Sequence, residues 1–146
     1  LVETGEKGID LLVIHVNNII YTITEYKAIP NTPFVTASAD KNLELPFNIP
    51  HLAKECGATY VARWTPLRAG WLMYSMIDTL SKRGFSVIEV ISPCLMYYPD
   101  SKRIGDAVEL MKFYDDNSVI KHGEPTENLD IRVHNKIILG KFVDKR

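Results

Sequence analysis

Gly84-Phe-Ser-Val-Ile-Glu-Val-Ile-Ser-Pro-Cys94 is the stretch that decides the fold. Val87, Ile88, Val90 and Ile91 make a near-continuous β-branched run, the pattern of a strand covered by helices on both faces of a parallel sheet. Pro93 cannot extend a hydrogen-bonded ladder, so the strand ends before it and Cys94 falls just beyond its carboxyl end. In open α/β sheets that edge is where ligands bind. Working outward, Asp10-Leu-Leu-Val-Ile-His-Val16 reads as another apolar strand, and Asn17-Asn18 follow it at the same edge. Two polar signals at two strand ends of one sheet suggest a cofactor site.

The rest of the chain fills in an alternating pattern. Thr59 to Arg63, entered through Gly57, reads as a third strand. Between it and the strand from Phe85, the spacing predicts a helix over about Ala69 to Lys82. Its apolar residues Trp71, Met73, Tyr74, Ile77 and Leu80 are expected to face the core, with Gly84 as the cap. A shorter helix, about Pro50 to Glu55, has Asn48 as its expected amino-terminal cap. Strands alternating with helices imply an α/β fold with a mostly parallel sheet flanked by helices. Ile19 to Pro46 shows no strong periodicity and is broken by Pro30, Pro33 and Pro46. An irregular segment of that length leaving directly from Asn18 is usually functional. Beyond Cys94, Tyr97-Tyr98-Pro99 leads to a helix expected over about Ile104 to Tyr114. Lys136 to Val143 then reads as a last strand or extended tail.

Composition bounds the function. With 146 residues the chain can bury one real core, and its formal net charge of −1 gives no electrostatic case for nucleic acid or an anionic membrane. No apolar run approaches the roughly 20 residues that span a bilayer. The start, Leu1-Val-Glu-Thr-Gly-Glu-Lys, lacks the basic and apolar regions of a signal peptide, and with no initial Met the chain is expected to be part of a longer protein. Two cysteines, Cys56 and Cys94, make no disulfide framework, so a reducing cytoplasm is the expected compartment.

Taken singly, the polar residues have modest readings. Asn17-Asn18 suits a turn, or an oxygen donor set for Mg²⁺ bound to a diphosphate. Cys94 suits a small hydrophobe or a metal-cluster thiolate, but a cluster needs four thiolates and this chain holds two cysteines. Cys56 reads as packing and His15 as a core imidazole. His51, His122 and His134 have no metal-ligand spacing. Asp115-Asp116 reads as a solvated helix end. No glycine-rich phosphate loop and no nucleophile elbow is present.

Together, three blocks resemble the β subunit of the 2-oxoacid:ferredoxin oxidoreductases, most of all the 2-oxoglutarate members. They are Gly8-Ile-Asp-Leu-Leu-Val-Ile-His-Val-Asn-Asn-Ile-Ile-Tyr21, Gly57-Ala-Thr-Tyr-Val-Ala-Arg-Trp64 and Arg83-Gly-Phe-Ser-Val-Ile-Glu-Val-Ile-Ser-Pro-Cys94. The tail is similar at Asp116 to Val119 and Ile138 to Val143. The resemblance implies a thiamine-diphosphate-binding fold, incomplete at its amino terminus. Residues 1–98 would be the carboxyl-terminal part of that domain, and 99–146 an extension packing on it or on a partner subunit. It also implies a cofactor loop of Asn17, Asn18, Ile20, Tyr21, Ile23 and Thr24. There the Asn18 side chain and the Ile20 carbonyl would ligate Mg²⁺, while Cys94 would complete a four-iron four-sulfur cluster.

The remaining expectations follow from the same resemblance. The reaction would be oxidative decarboxylation of a 2-oxoacid to an acyl-coenzyme A, with electrons passed to ferredoxin. An α subunit would be the partner, and no residue of this chain is singled out as catalytic. The metal-binding Asp and three cluster cysteines of the family have no counterpart here, so the isolated chain is expected to be inactive. Thr22 stands where the family has glycine, and Glu25 brings a charge near the diphosphate. That loop motivates the alternative, a non-catalytic assembly or interaction module.

Overall fold

Three parallel strands make one side of the sheet in the computed structural model, which describes residues 2–18, 47–92, 107–131 and 135–145. They are β1 (Leu11–Asn17), β2 (Tyr60–Trp64) and β3 (Phe85–Ile91), with β3 in the middle. Leu11 pairs with Phe85 and Asn17 with Ile91 along β1 and β3. Tyr60 pairs with Ser86 and Trp64 with Val90 along β2 and β3. All seven residues of β3 are buried, Ser86 and Glu89 among them. β4 (Ser118–Ile120) and β5 (Ile137–Asp144) complete the order β1-β3-β2-β5-β4. β5 runs antiparallel to β2 with an irregularity at Val61/Ala62, and β4 pairs parallel with β5. Gly140 lets β5 pass close to the chain after β4: it has φ 143°, and a Cβ there would stand 2.9 Å from the Lys121 carbonyl oxygen.

The helices are α1 (Val2–Glu6), α2 (Ile49–Glu55), α3 (Ala69–Leu80) and α4 (Ala107–Asp116). α2 begins where the sequence predicts, because Asn48 Oδ1 accepts from the His51 backbone N–H at 3.1 Å. Pro50 sits in its first turn, where the missing N–H costs nothing. One core cluster, with Ala53, Ala58, Val61, Phe85 and Val87, lies on the α2 side. Another gathers Tyr60, Ala62, Trp64, Ile88, Tyr114 and Leu139, with Leu72 and Met76 of α3 packed on it.

α3 corrects a sequence expectation. Its buried residues are Ser75 and Thr79, while Trp71, Met73, Tyr74, Ile77 and Leu80 are exposed. Helical spacing locates an apolar stripe but does not say which side of a helix with two apolar sides packs inward. The inward side is the one whose small residues let α3 approach β2. Their hydroxyls are satisfied locally: Ser75 Oγ accepts from Trp64 Nε1 at 2.8 Å, and Thr79 Oγ1 donates to the Met76 carbonyl at 2.7 Å. His15 is only half-buried, and Asp115 is not simply solvated, since its Oδ1 lies 2.9 Å from Arg68 Nε.

Candidate cofactor edge

The sheet register builds the site. His15, Glu89 and Arg63 are paired across β1, β3 and β2, and Asn17 lies two residues beyond His15 on the same face. Arg63 and Glu89 are 1% and 0% exposed. Charges so placed must satisfy one another. Arg63 Nε donates to Glu89 Oε2 at 2.6 Å, and Arg63 Nη1 donates to the Leu129 carbonyl at 2.8 Å. The second carboxylate oxygen, Glu89 Oε1, accepts from Asn17 Nδ2 at 2.8 Å.

This geometry decides how Asn17 stands. An ionised carboxylate only accepts hydrogen bonds, so the amide must turn Nδ2 toward Glu89 and Oδ1 away from it. Asn17 is therefore a buried strand end held through its side chain, rather than merely a turn residue. Asn18 follows and is exposed. Beside them, the Ser92 N–H donates to the Asn17 carbonyl at 3.0 Å, locking the ends of β1 and β3 together.

The Leu129 carbonyl is itself held in place. Asn48 Nδ2 donates to the Thr126 carbonyl at 2.8 Å, and His51 Nδ1 lies 3.1 Å from Thr126 Oγ1. Two further polar atoms on the Arg63 face, Arg63 Nη2 and Thr65 Oγ1, are buried without a hydrogen-bond partner.

Of the residues expected at this site, the structure brings Asn17 and Asn18 to the carboxyl edge. Ile20, Tyr21, Ile23, Thr24 and Cys94 lie outside the described residues. Among the described residues no group of three metal-ligating side chains occurs. Asn18 is exposed at this edge, and an amide oxygen is of the donor type that a hard cation takes. Glu89 does not extend that donor set, because Arg63 and Asn17 already occupy its two oxygens.

Sequence reasoning missed Arg63 and Glu89. The signal was there: Glu89 inside Val-Ile-Glu-Val-Ile, and Arg63 inside Tyr-Val-Ala-Arg-Trp, are charges within strands otherwise written for burial.

A second polar group lies at the other end of β2, where Tyr60 pairs with Asp144. Lys82 Nζ reaches Asp144 Oδ1 at 2.6 Å, Lys141 also bonds Asp144, and both ammonium groups lie within 6 Å of the Tyr60 ring centre. Burial pushes the Tyr60 phenol above its usual range. The hydrogen bond to Asp144 raises Lys141, and bonds from Lys141 and then Lys82 hold Asp144 below the ordinary carboxylate range.

The mostly parallel sheet agrees with what comparison with known families shows. Residues 1–90 match the model of the thiamine pyrophosphate enzyme, C-terminal TPP binding domain, and the chain belongs to that family. Among individual proteins, the chain is similar to the 2-oxoglutarate synthase subunit KorB of several archaea. It is 38% identical to that of Methanothermobacter marburgensis over 151 residues, covering 99% of this chain and 51% of the relative. For Methanocaldococcus jannaschii the identity is 33%, over 94% of this chain and 52% of the relative. For Archaeoglobus fulgidus it is 33%, over 99% and 54%. The chain thus spans about half the length of the curated relatives it matches.

Proposed function

We propose that this chain is the carboxyl-terminal half of the cofactor-binding β subunit of a 2-oxoacid:ferredoxin oxidoreductase that takes 2-oxoglutarate. The observation that carries the reading is the Asn17 amide, fixed by Glu89 and Arg63 at the carboxyl edge of a parallel sheet in a thiamine-diphosphate family. The names of the relatives supply the substrate. Residues 1–98 form the carboxyl-terminal part of the cofactor domain, and 99–146 an extension packed on it or on a partner subunit.

In this proposal Asn18, through its side chain, and Ile20, through its carbonyl, hold Mg²⁺ on the cofactor diphosphate. Asn17, Tyr21, Ile23 and Thr24 line the same loop. Cys94 supplies one thiolate to a four-iron four-sulfur cluster, whose other ligands come from outside this chain. When bound, thiamine diphosphate supplies the electron sink for losing CO₂ from a 2-oxoacid. The chain's own contribution is positional. Arg63 and Glu89 orient the Asn17 amide, and the bond between Asn17 and Ser92 holds the β1 and β3 ends in register. An α subunit, coenzyme A as acyl acceptor and ferredoxin as electron acceptor complete the proposed system, set in the cytoplasm. No helix among the described residues is long and apolar enough to cross a membrane.

The test uses the intact complex containing this chain. Reduction of a viologen dye should require both 2-oxoglutarate and coenzyme A. Absence of that activity, with thiamine diphosphate and the cluster shown to be present, would overturn the proposal. Asn18→Ala should also lower the thiamine diphosphate and Mg²⁺ retained through gel filtration, a readout independent of turnover.

A further inference from the structure

β1 has the sequence of an inner strand but stands at the end of the sheet order. Its residues, Leu-Leu-Val-Ile-His-Val-Asn, include no Lys, no Pro and no carboxylate, the devices that guard an exposed edge. Apolar side chains point to both of its faces, as in parallel strands with helices on either side. Yet Leu11, Ile14 and Val16, with Ile9 just ahead of them, are between 43 and 63% exposed. Their register partners on β3, Phe85, Ile88 and Val90, are buried.

The backbone specifies what kind of element belongs beside it. The Leu11 N–H donates to the Gly84 carbonyl at 3.3 Å, and the Asn17 carbonyl accepts from the Ser92 N–H at 3.0 Å. Residues 11, 13, 15 and 17 therefore turn their peptide groups toward β3, because successive residues of a strand alternate sides. Leu12, Ile14 and Val16 turn theirs the other way, and among the described residues β1 pairs with β3 alone. A row of alternating donors and acceptors takes an extended strand, which an apolar patch by itself would not dictate.

We propose that a parallel strand from the segment ahead of residue 1, in the same subunit, pairs with β1 along Leu12 to Val16. Handedness places it there. Crossovers between parallel strands are right-handed. Seen from the α2 side, the crossover from β1 through α2 to β2 thus runs rightward, which makes β1 the leftmost strand. α1 lies on that same side, since a Cβ on Gly5 would stand 1.7 Å from the Cys56 carbonyl oxygen at the end of α2. A strand that reaches β1 through α1 must by the same rule lie to its left, at the unpaired edge. A second copy fits less well: two identical edges pair antiparallel across a twofold axis, and exposed antiparallel strands alternate apolar with polar residues, as β1 does not. The relatives leave ample chain, because about half their length lies outside the match and a crossover needs only about a dozen residues. From the proposed function the inference takes only that this chain is the carboxyl-terminal half of its subunit.

Hydrogen exchange of the intact complex, read at single amides, tests it without any substitution. Leu12, Ile14 and Val16 should exchange within about tenfold of Val13 and His15, whose amides face β3. An edge left open would let the first three exchange about a hundredfold faster than the other two. The source of the strand is read by placing photoreactive benzoylphenylalanine at position 16 and illuminating the complex. The expected product joins position 16 to the segment ahead of residue 1 of the same polypeptide. The hundredfold difference, or linkage only to residues 1–146, to a second copy or to another subunit, would overturn the proposal. A complex that shows the protection and the linkage but no dye reduction with its cofactors present would overturn the proposed function and leave the added strand standing.

Discussion

Glu89 is the residue whose removal is most informative. Glu89→Gln keeps the side-chain volume and an acceptor for Asn17, but leaves the Arg63 guanidinium without a counter-charge at 1% exposure. Breaking a buried pair from one side costs about 3–5 kcal/mol. Against a typical total stability of about 5–15 kcal/mol, that is a large fraction. Arg63→Met strands the Glu89 carboxylate in the same way and also leaves the Leu129 carbonyl without its donor. The double variant removes both charges, and replacing a whole buried pair is often close to neutral.

The three variants and the parent form a double-mutant cycle read by urea denaturation. The reasoning predicts a coupling energy of at least about 2 kcal/mol, with the double variant more stable than either single one. Additive effects, with coupling under about 0.5 kcal/mol, would refute it. Arg63 and Glu89 would then be independent residues that happen to lie near each other.

Other perturbations report on the surrounding scaffold. Asn48→Ala removes the α2 cap and the bond to the Thr126 carbonyl, and should cost about 1–2 kcal/mol in the same denaturation assay. The Asp144 group gives a pH signature. Its depressed carboxyl contributes stability that is present above the unfolded value of about 4 and lost as pH falls through the folded one. Lys141, raised by the same bond, contributes stability present below about 10 and lost as pH rises through its folded value. Asp144→Asn should therefore flatten both limbs of the urea midpoint plotted against pH, relative to the parent.

What the sequence made legible follows from how each signal arises. The near-continuous β-branched run of β3, bounded by Gly84 and Pro93, reads as a buried strand, and Asn48 ahead of Pro50 could cap a helix without tertiary help. The α3 stripe misled because periodicity is blind to direction. Ser75 and Thr79 look like an outer face until Trp64 Nε1 and the Met76 carbonyl take up their hydroxyls. The strand end at Asn17 and Asn18 was legible, because its place is local. Its support was not, because Arg63 and Glu89 are 26 residues apart and meet only once β2 and β3 pair. Leu129 contributes a backbone carbonyl, which no side-chain pattern encodes.

That hidden support explains why a stable chain would keep two buried charges where apolar residues would serve as well. An apolar pair at 63 and 89 would hold the sheet, but it would leave Asn17 with no partner that can tell its nitrogen from its oxygen. The amide could then turn over at the carboxyl end of β1. Glu89 removes that freedom, since a carboxylate accepts and cannot donate. Arg63 pairs with Glu89 in a dry site, and the Leu129 carbonyl, set by Asn48 and His51 through Thr126, fixes where Arg63 lies. The chain of bonds thus runs from α2 and the carboxyl-terminal segment, under the sheet, to Asn17. Its cost is desolvation of two charges, and what it provides is an amide preorganised for one orientation.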